Sequence, residues 1–269
     1  MSPESFVPDK IIDYIRKQET ISIDDIMRNF NVSRLTAKNY LSRVAKMDII
    51  KRVGRGLYQR GKGATAVVEL APEVSQLAQY IQECFPMASF VVWSLDMLSD
   101  YAHYLIGRNL IFFETDRLLS ASIRDALIKK GYRAVLNPEK KDFLEYAYYN
   151  EKLIFVIERK EEYGLDRSGN FLVPTPERLW LDLYYFVTRK EFSFSPNELG
   201  IIFANMLDKE GVNFNRLLRY ASRRKIRDEV IIYLYSLKKL SQLPIPDNVL
   251  VGRKEALETI EEMVKGATD

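Results

Sequence analysis

The chain has 269 residues, of which 47% are hydrophobic and 29% are charged, and its formal net charge is +3. This composition excludes a disordered or low-complexity chain, and the length suits one large domain or two unequal domains. The single cysteine, Cys84, and the single histidine, His103, exclude an internal disulfide, a thiolate-rich metal site and a histidine-based metal cage.

The N-terminal segment predicts three short helices followed by a β-hairpin. The first helix starts near Asp9, the second follows Ser22 and ends in a turn at Asn31, and the third follows Ser33. Apolar residues recur in each segment at the spacing of one helical face. The hairpin is predicted from the runs IIKRV and LYQR, which flank a turn at residues 54–56 that contains two glycines.

This order predicts a winged helix-turn-helix over residues 1–62, in which the third helix enters the major groove of DNA. Residues 28–62 contain ten basic residues and one acidic residue, so the positive charge is concentrated in this segment. We expect base contacts from the first half of the helix and phosphate contacts from its second half. The hairpin is expected to reach flanking phosphate or an adjacent minor groove. The predicted DNA-binding residues are Arg34, Lys38, Asn39, Ser42, Arg43, Lys46, Lys51, Arg52 and Arg55. The alternative is a basic face that docks an acidic protein.

Residues 63–269 are predicted to form a second domain, with a linker over residues 61–72. The domain alternates helices and strands up to residue 160 and is almost wholly helical beyond Pro176. The expected fold class is therefore α+β or α/β: a winged helix-turn-helix joined to an α/β domain with a helical C-terminal part. The predicted strands lie near residues 90–94, within 109–116, and near residues 132–136 and 153–160. The predicted helices lie near residues 73–84, 95–105, 117–130, 176–189, 196–209, 213–223, 227–240 and 253–265.

A charged triplet, Glu158-Arg159-Lys160, ends the last of these strands. Together with an upstream acid, Asp116 or Asp100, it has the pattern of a restriction-endonuclease-like metal site, in which carboxylates bind Mg²⁺ and the lysine positions water. A charged triplet that leaves an apolar strand is more often a solvated edge, and the pattern is common by chance. We therefore expect no enzyme activity, no cofactor and no metal, with a Mg²⁺-dependent nuclease as an alternative.

Several segments resemble the AbiEi-type antitoxins of type IV toxin-antitoxin systems. NVSRLTAKNYLSRV and IIKRVGRGLYQR are similar to the winged helix of that family, including an Arg-Gly-x-Tyr wing. WSLDMLSDYAHYL and VPTPERLWLDLYYF are similar to its second domain, with Arg178 in place of the usual lysine. NRLLRYASRRK is similar near the C-terminal end, where Tyr220-Ala221 followed by Arg223-Arg224 is the more specific signal.

The resemblance implies a transcriptional autorepressor and antitoxin. Its N-terminal module would bind double-stranded DNA at its own promoter, on inverted repeats, and its second domain would counter a nucleotidyltransferase toxin. A ligand-sensing transcription factor is a further alternative. The C-terminal basic residues are then either a solvated face or a surface complementary to an acidic toxin or to nucleic acid. These residues are Arg219, Arg223, Arg224, Lys225 and Arg227.

The sequence predicts no membrane partner. No run approaches the roughly 18 apolar residues of a membrane span, and the N-terminus lacks the basic-then-apolar order of a secretory signal. We therefore expect a cytoplasmic protein.

Overall fold

The chain divides into two compact units, one formed by residues 1–65 together with 206–269 and the other by residues 66–205. We expected the second domain to run from residue 63 to the C-terminus, whereas the helices after residue 206 belong to the first unit. The predicted helix over residues 253–265 and most of the predicted linker lie outside the described residues. The computed structural model describes residues 7–18, 20–46, 49–60, 70–102, 110–145, 152–159, 161–192, 194–209 and 211–250.

Residues 7–60, where the structure describes them, fold as a helix-turn-helix with a three-stranded antiparallel sheet of order β1-β3-β2. Strand β1 was not predicted, because three residues are too few to show an alternating pattern. Apolar side chains from all three helices form the core, among them Ile11, Ile15, Ile26, Leu41 and Val44. The elements are α1 (Asp9–Lys17), β1 (Thr20–Ser22), α2 (Ile23–Phe30), α3 (Arg34–Lys46), β2 (Ile50–Gly54) and β3 (Leu57–Arg60).

The predicted helix caps are confirmed. Ser22 Oγ accepts a hydrogen bond from Asp25 N at 3.1 Å, and Asp25 Oδ2 accepts one from Ser22 N at 2.8 Å, which is a capping box at the start of α2. Asn31 ends α2 in the left-handed region with φ 48°. Ser33 Oγ accepts from Thr36 N at 3.2 Å at the start of α3. Local side-chain chemistry therefore sets both ends of the turn between α2 and α3.

The second unit is built on a six-stranded mixed sheet of order β6-β7-β5-β4-β9-β8. Strand β7 is parallel to β5 and β6, β4 is parallel to β9, and the pairs β4/β5 and β8/β9 are antiparallel. The strands are β4 (Phe90–Ser94), β5 (Leu110–Thr115), β6 (Arg133–Leu136), β7 (Leu153–Glu158), β8 (Leu165–Ser168) and β9 (Phe171–Pro174). The helices are α4 (Pro72–Cys84), α5 (Arg117–Lys129), α6 (Lys140–Glu145), α7 (Pro176–Lys190) and α8 (Pro196–Lys209), whose last four residues belong to the first unit.

Helices cover both faces of this sheet. On one face Ile111, Phe113 and Ile154 share a core with residues of α4 and α5. On the other face the ring of Phe112 stacks on that of Trp93 at 3.8 Å between centroids, and aromatic rings of α6 and α7 continue this stack. Burial on both faces explains why the central strands read as continuous apolar runs rather than alternating patterns.

The predicted fold class is confirmed: a helix-turn-helix domain is followed by a mixed α/β sheet domain and C-terminal helices. The segment predicted as a helix over residues 95–105 is instead a 3-10 helix over Leu95–Leu98 with a following turn, and His103 lies outside the described residues. Strands β8 and β9 and helix α6 were not predicted, because their short sequences carry no clear periodicity. None of the helices that the structure describes has the length and apolar character needed to cross a membrane.

The C-terminal helices of the first unit are α9 (Phe214–Arg223) and α10 (Arg227–Ser241). Before α9, the chain contacts the wing strand β3, where Gln59 Nε2 donates to Leu207 O at 2.9 Å. Gly211 has φ +73°, and a Cβ on it would lie only 2.9 Å from Gln59 Oε1. The positive φ favours a glycine at this position, and the contact between Gln59 and Leu207 joins segments from the two ends of the chain in one unit.

Candidate nucleic-acid interface

Helix α3 presents a polar face to solvent. Its other face is fully buried and consists of Ala37, Leu41 and Val44, whose spacing of four and three residues places them on one side of the helix. The structure brings four of the predicted DNA-binding residues together on the exposed face. They are Arg34, Lys38, Asn39 and Ser42.

Arg34 makes an ion pair that the sequence analysis did not foresee. Its Nη1 lies 2.9 Å from Oδ1 of Asp24 in the first turn of α2, and the two side chains are 68% and 60% exposed. Exposed ion pairs contribute about 0–1 kcal/mol. The guanidinium of Arg34 can therefore exchange Asp24 for a phosphate or a guanine at little cost.

Leu35 is an exposed apolar residue on the same helix, and the sequence analysis did not single it out. Its side chain is 69% exposed, beside Arg34 and one turn before Asn39. It falls outside the apolar stripe of α3, which is the signal that could have identified it. In the major groove an apolar side chain can contact the methyl group of thymine, so Leu35 adds a possible base contact to the polar ones.

In the second half of α3, Arg43 is less accessible than expected. Arg43 is half-buried and already has an interaction partner within the protein. Lys46 is the last residue of α3, and its side chain lies outside the described part of the chain. Among the side chains of α3 that the structure describes, the exposed polar ones therefore lie between residues 34 and 42.

The wing presents two of its three predicted cations to solvent. Arg52 and Arg55 are exposed, whereas Lys51 is half-buried and has a partner within the protein. The wing turn is held against the start of α2, because Gly56, with φ +74°, accepts a hydrogen bond through its carbonyl from Ile23 N at 2.9 Å. The wing is thereby fixed relative to the helix-turn-helix.

The acids of the alternative nuclease site have other roles in the structure. Glu158 ends β7 beside Thr115 of β5 and accepts from Ser120 Oγ at 2.8 Å. Asp116 caps α5, accepting from Leu118 N at 2.9 Å, and Asp100 lies exposed in a turn. Lys160 is outside the described residues. Glu158 and Asp116 therefore lie at the ends of neighbouring strands, but each carboxylate already has a structural hydrogen bond.

The arginine inside the triplet has a clearer role than its neighbours. Arg159 Nε donates to Glu114 Oε2 at 2.9 Å, and its Nη1 donates to Asp182 Oδ1 at 2.8 Å. Arg178 also contacts both carboxylates, and Glu114 accepts from Trp93 Nε1 at 2.9 Å. This buried ion cluster, formed by Glu114, Arg159, Arg178 and Asp182, balances two positive and two negative charges inside the second unit.

Two observations bear on metal and ligand binding. Among the residues that the structure describes, no group of three or more His, Cys, Asp or Glu side chains is arranged to hold a metal ion. A cleft of about 560 Å³ in the second unit is lined by four cationic side chains, one acid and one tyrosine. Its lining residues are Glu139, Lys140, Lys141, Tyr185, Arg189 and Lys190.

Comparison with known sequence families agrees with the geometry of the N-terminal module. Residues 8–58 match the DeoR-like helix-turn-helix domain, a range that covers α1 to the first residues of β3. This match supports a DNA-binding transcriptional regulator.

A second family match extends over most of the chain, from residue 36 to residue 239. It begins within α3 and continues through the second unit into α10. No curated protein sequence matches the chain. The chain belongs to the family of unknown function DUF6577.

Proposed function

We propose that the protein represses transcription of its own gene by binding the upstream DNA, as two chains on an inverted repeat. The observation that carries this proposal is the exposed face of α3, where Lys38, Asn39 and Ser42 stand side by side above a fully buried apolar stripe. A helix of this kind fits the major groove, and half-sites one helical turn apart would match a two-fold arrangement of proteins.

The exposed side chains divide into two roles. Asn39 can bond adenine through two hydrogen bonds, and Lys38 can donate to guanine. Arg52 and Arg55 on the wing contact phosphates, which position the protein without reading sequence. Repression then requires only that the protein occupy its own promoter, so this half of the proposal needs no catalysis and no cofactor.

Binding of the full-length protein to the DNA upstream of its gene tests this proposal. We expect the Lys38→Ala and Asn39→Ala variants each to lose about 1–3 kcal/mol of specific binding free energy, because each removes a base contact. Fluorescence anisotropy with the upstream duplex and with a shuffled duplex of equal length measures both affinity and sequence preference.

Lys129→Ala is a matched control, since Lys129 is an exposed lysine on α5 of the other unit. This variant should bind like the parent. If Lys38→Ala and Asn39→Ala keep the full preference for the upstream duplex, α3 is not the recognition helix. If the parent protein shows no preference for any duplex, the repressor proposal is wrong.

We further propose that the second unit neutralises a nucleotidyltransferase toxin and is itself not an enzyme. The support is the resemblance of WSLDMLSDYAHYL and VPTPERLWLDLYYF to the second domain of AbiEi-type antitoxins. The structural engagement of Glu158 and Asp116 in hydrogen bonds to Ser120 and to the start of α5 also favours a binding role over a nuclease role.

Co-expression with the product of the neighbouring gene tests the antitoxin half. We expect the full-length protein carrying Lys38→Ala and Asn39→Ala to relieve growth inhibition as well as the parent does, because neutralisation does not require DNA binding. Both genes should be placed under foreign promoters, so that repression cannot account for rescue. Absence of rescue by the parent protein would leave a transcriptional regulator without antitoxin activity.

A further inference from the structure

Helix α9 carries a concentrated positive charge. Residues 214–225 contain five basic residues and no acidic residue. One side of the helix is buried through Phe214, Leu217, Tyr220 and Ala221. Its exposed residues recur at spacings of three and four along the opposite side. They are Asn215, Arg219, Ser222 and Arg223, and we refer to them as the α9 face.

The α9 face begins beside the wing of the same unit. Gly54 of β2 has no side chain, and a Cβ on it would lie 3.9 Å from Nδ2 of Asn215. The carbonyl of Gly54 accepts a hydrogen bond from Nε of the exposed Arg52 at 3.1 Å. Arg52 and Asn215 are therefore neighbours across Gly54, and the α9 face continues the cationic surface of the wing.

The spacing along α9 suits an extended polyanion. A rise of 1.5 Å per residue places Arg219 and Arg223 about 6 and 12 Å beyond Asn215 along the helix axis. The acidic residues nearest in sequence are Glu210 before the helix and Asp228 and Glu229 after it. Arg219 and Arg223 are exposed, and each already has a partner within the protein, which a phosphate of the duplex would replace. Because duplex DNA carries one negative charge per about 1.7 Å of its axis, a strip of this length faces several phosphates at once.

We infer that the α9 face is a second DNA contact, which binds phosphates flanking the site on the side of the wing. This inference rests on the proposed function, because it requires α3 and the wing to be seated on DNA. Phosphate contacts carry no sequence information. The α9 face therefore raises affinity and the length of DNA covered, while α3 sets sequence preference.

Salt dependence of DNA binding by the full-length protein tests the inference. We expect the double variant Arg219→Ala/Arg223→Ala to bind upstream and shuffled duplexes more weakly by the same factor. We expect its slope of log affinity against log salt to fall by about 1.8, because two phosphate contacts are lost. A duplex shortened on the wing side should abolish the difference between the parent and this variant.

Two further variants control the measurement. Arg167→Ala removes an exposed arginine from β8 of the other unit and should leave affinity and slope unchanged. Arg219→Lys/Arg223→Lys keeps both charges and should restore most of the slope, which separates loss of charge from loss of folding.

Three results would overturn the inference. The first is a double alanine variant with the parent's affinity and slope. The second is a loss of sequence preference instead of uniform weakening. The third is unchanged DNA binding with loss of toxin neutralisation, which would assign the α9 face to an acidic protein partner. In each case Lys38→Ala would still lose specific binding if the repressor proposal is right, so the two proposals fail separately.

Discussion

At the scale of single residues, Glu114 determines the charge balance inside the second unit. It is 1% exposed and lies on β5, where it accepts hydrogen bonds from Trp93, Arg159 and Arg178. Asp182 supplies the other negative charge of the cluster. Because charges removed from water are tolerated only when they are paired and hydrogen-bonded, each carboxylate is needed to keep the two guanidinium groups neutralised.

Replacing Glu114 by glutamine, which has nearly the same shape, should therefore be strongly destabilising. We expect Glu114→Gln to lower the free energy of unfolding of the second unit by about 3–5 kcal/mol, the usual cost of breaking a buried ion pair from one side. Both tryptophans of the chain, Trp93 and Trp180, are buried in this unit. Urea unfolding followed by tryptophan fluorescence therefore reports on it.

Asp125→Asn provides the matched control for this measurement. Asp125 pairs with Arg124 at 2.6 Å on the surface of α5, and its side chain is 64% exposed. The loss of such a pair should change the unfolding free energy by no more than about 1 kcal/mol. Equal effects of the two substitutions would show that the buried ion cluster does not stabilise the unit.

At the scale of the elements, the capping box sets where α2 begins and so helps to orient the turn that leads into α3. Ser22→Ala removes the acceptor for Asp25 N and should destabilise α2 by about 1 kcal/mol. Hydrogen exchange of the α2 amides measures this change directly. Ser42→Ala, on the exposed face of α3, should leave exchange in α2 unchanged. Unaltered exchange in Ser22→Ala would mean that tertiary packing alone holds the helix start.

At the scale of the whole molecule, the first unit is assembled from both ends of the chain. Val53 of β2 is 1% exposed. A Cβ placed on Gly211 would lie 4.0 Å from Cγ1 of Val53. Helix α9 contacts the same strand. The wing is therefore covered by residues that lie about 150 positions away in sequence, as in the hydrogen bond between Gln59 and Leu207.

Truncation after Lys209 tests this dependence, because it leaves α8 intact and removes α9 and α10. We expect faster hydrogen exchange in β2 and β3 and in the helices packed on them, since newly exposed apolar surface lowers the stability of the unit. Exchange in β5 and β7 of the other unit should not change and serves as the internal reference. Equal protection of the wing in the full and truncated chains would contradict the assembly.

The elements and the polar face of α3 could be predicted because their signals are local. Caps such as Ser22 and Ser33, the apolar stripe of α3 and the glycine turn of the wing each lie within a few residues of the structure they specify. The short strands β1, β8 and β9 were not predicted, because three or four residues are too few to show the alternating hydrophobic pattern of a strand. The ion pair of Arg34 with Asp24 was also not predicted, because it joins two helices across the turn.

What the sequence determined by itself was the order of most helices and strands, the helix-turn-helix and the set of cations available to it. Tertiary structure alone decided that Arg159 turns inward to Glu114 and Asp182, and that α9 lies beside the wing. The physical reason is that these outcomes depend on contacts between residues distant in sequence. Hydrophobic periodicity shows which face of a helix or strand will be buried, but it does not show which other element packs against that face.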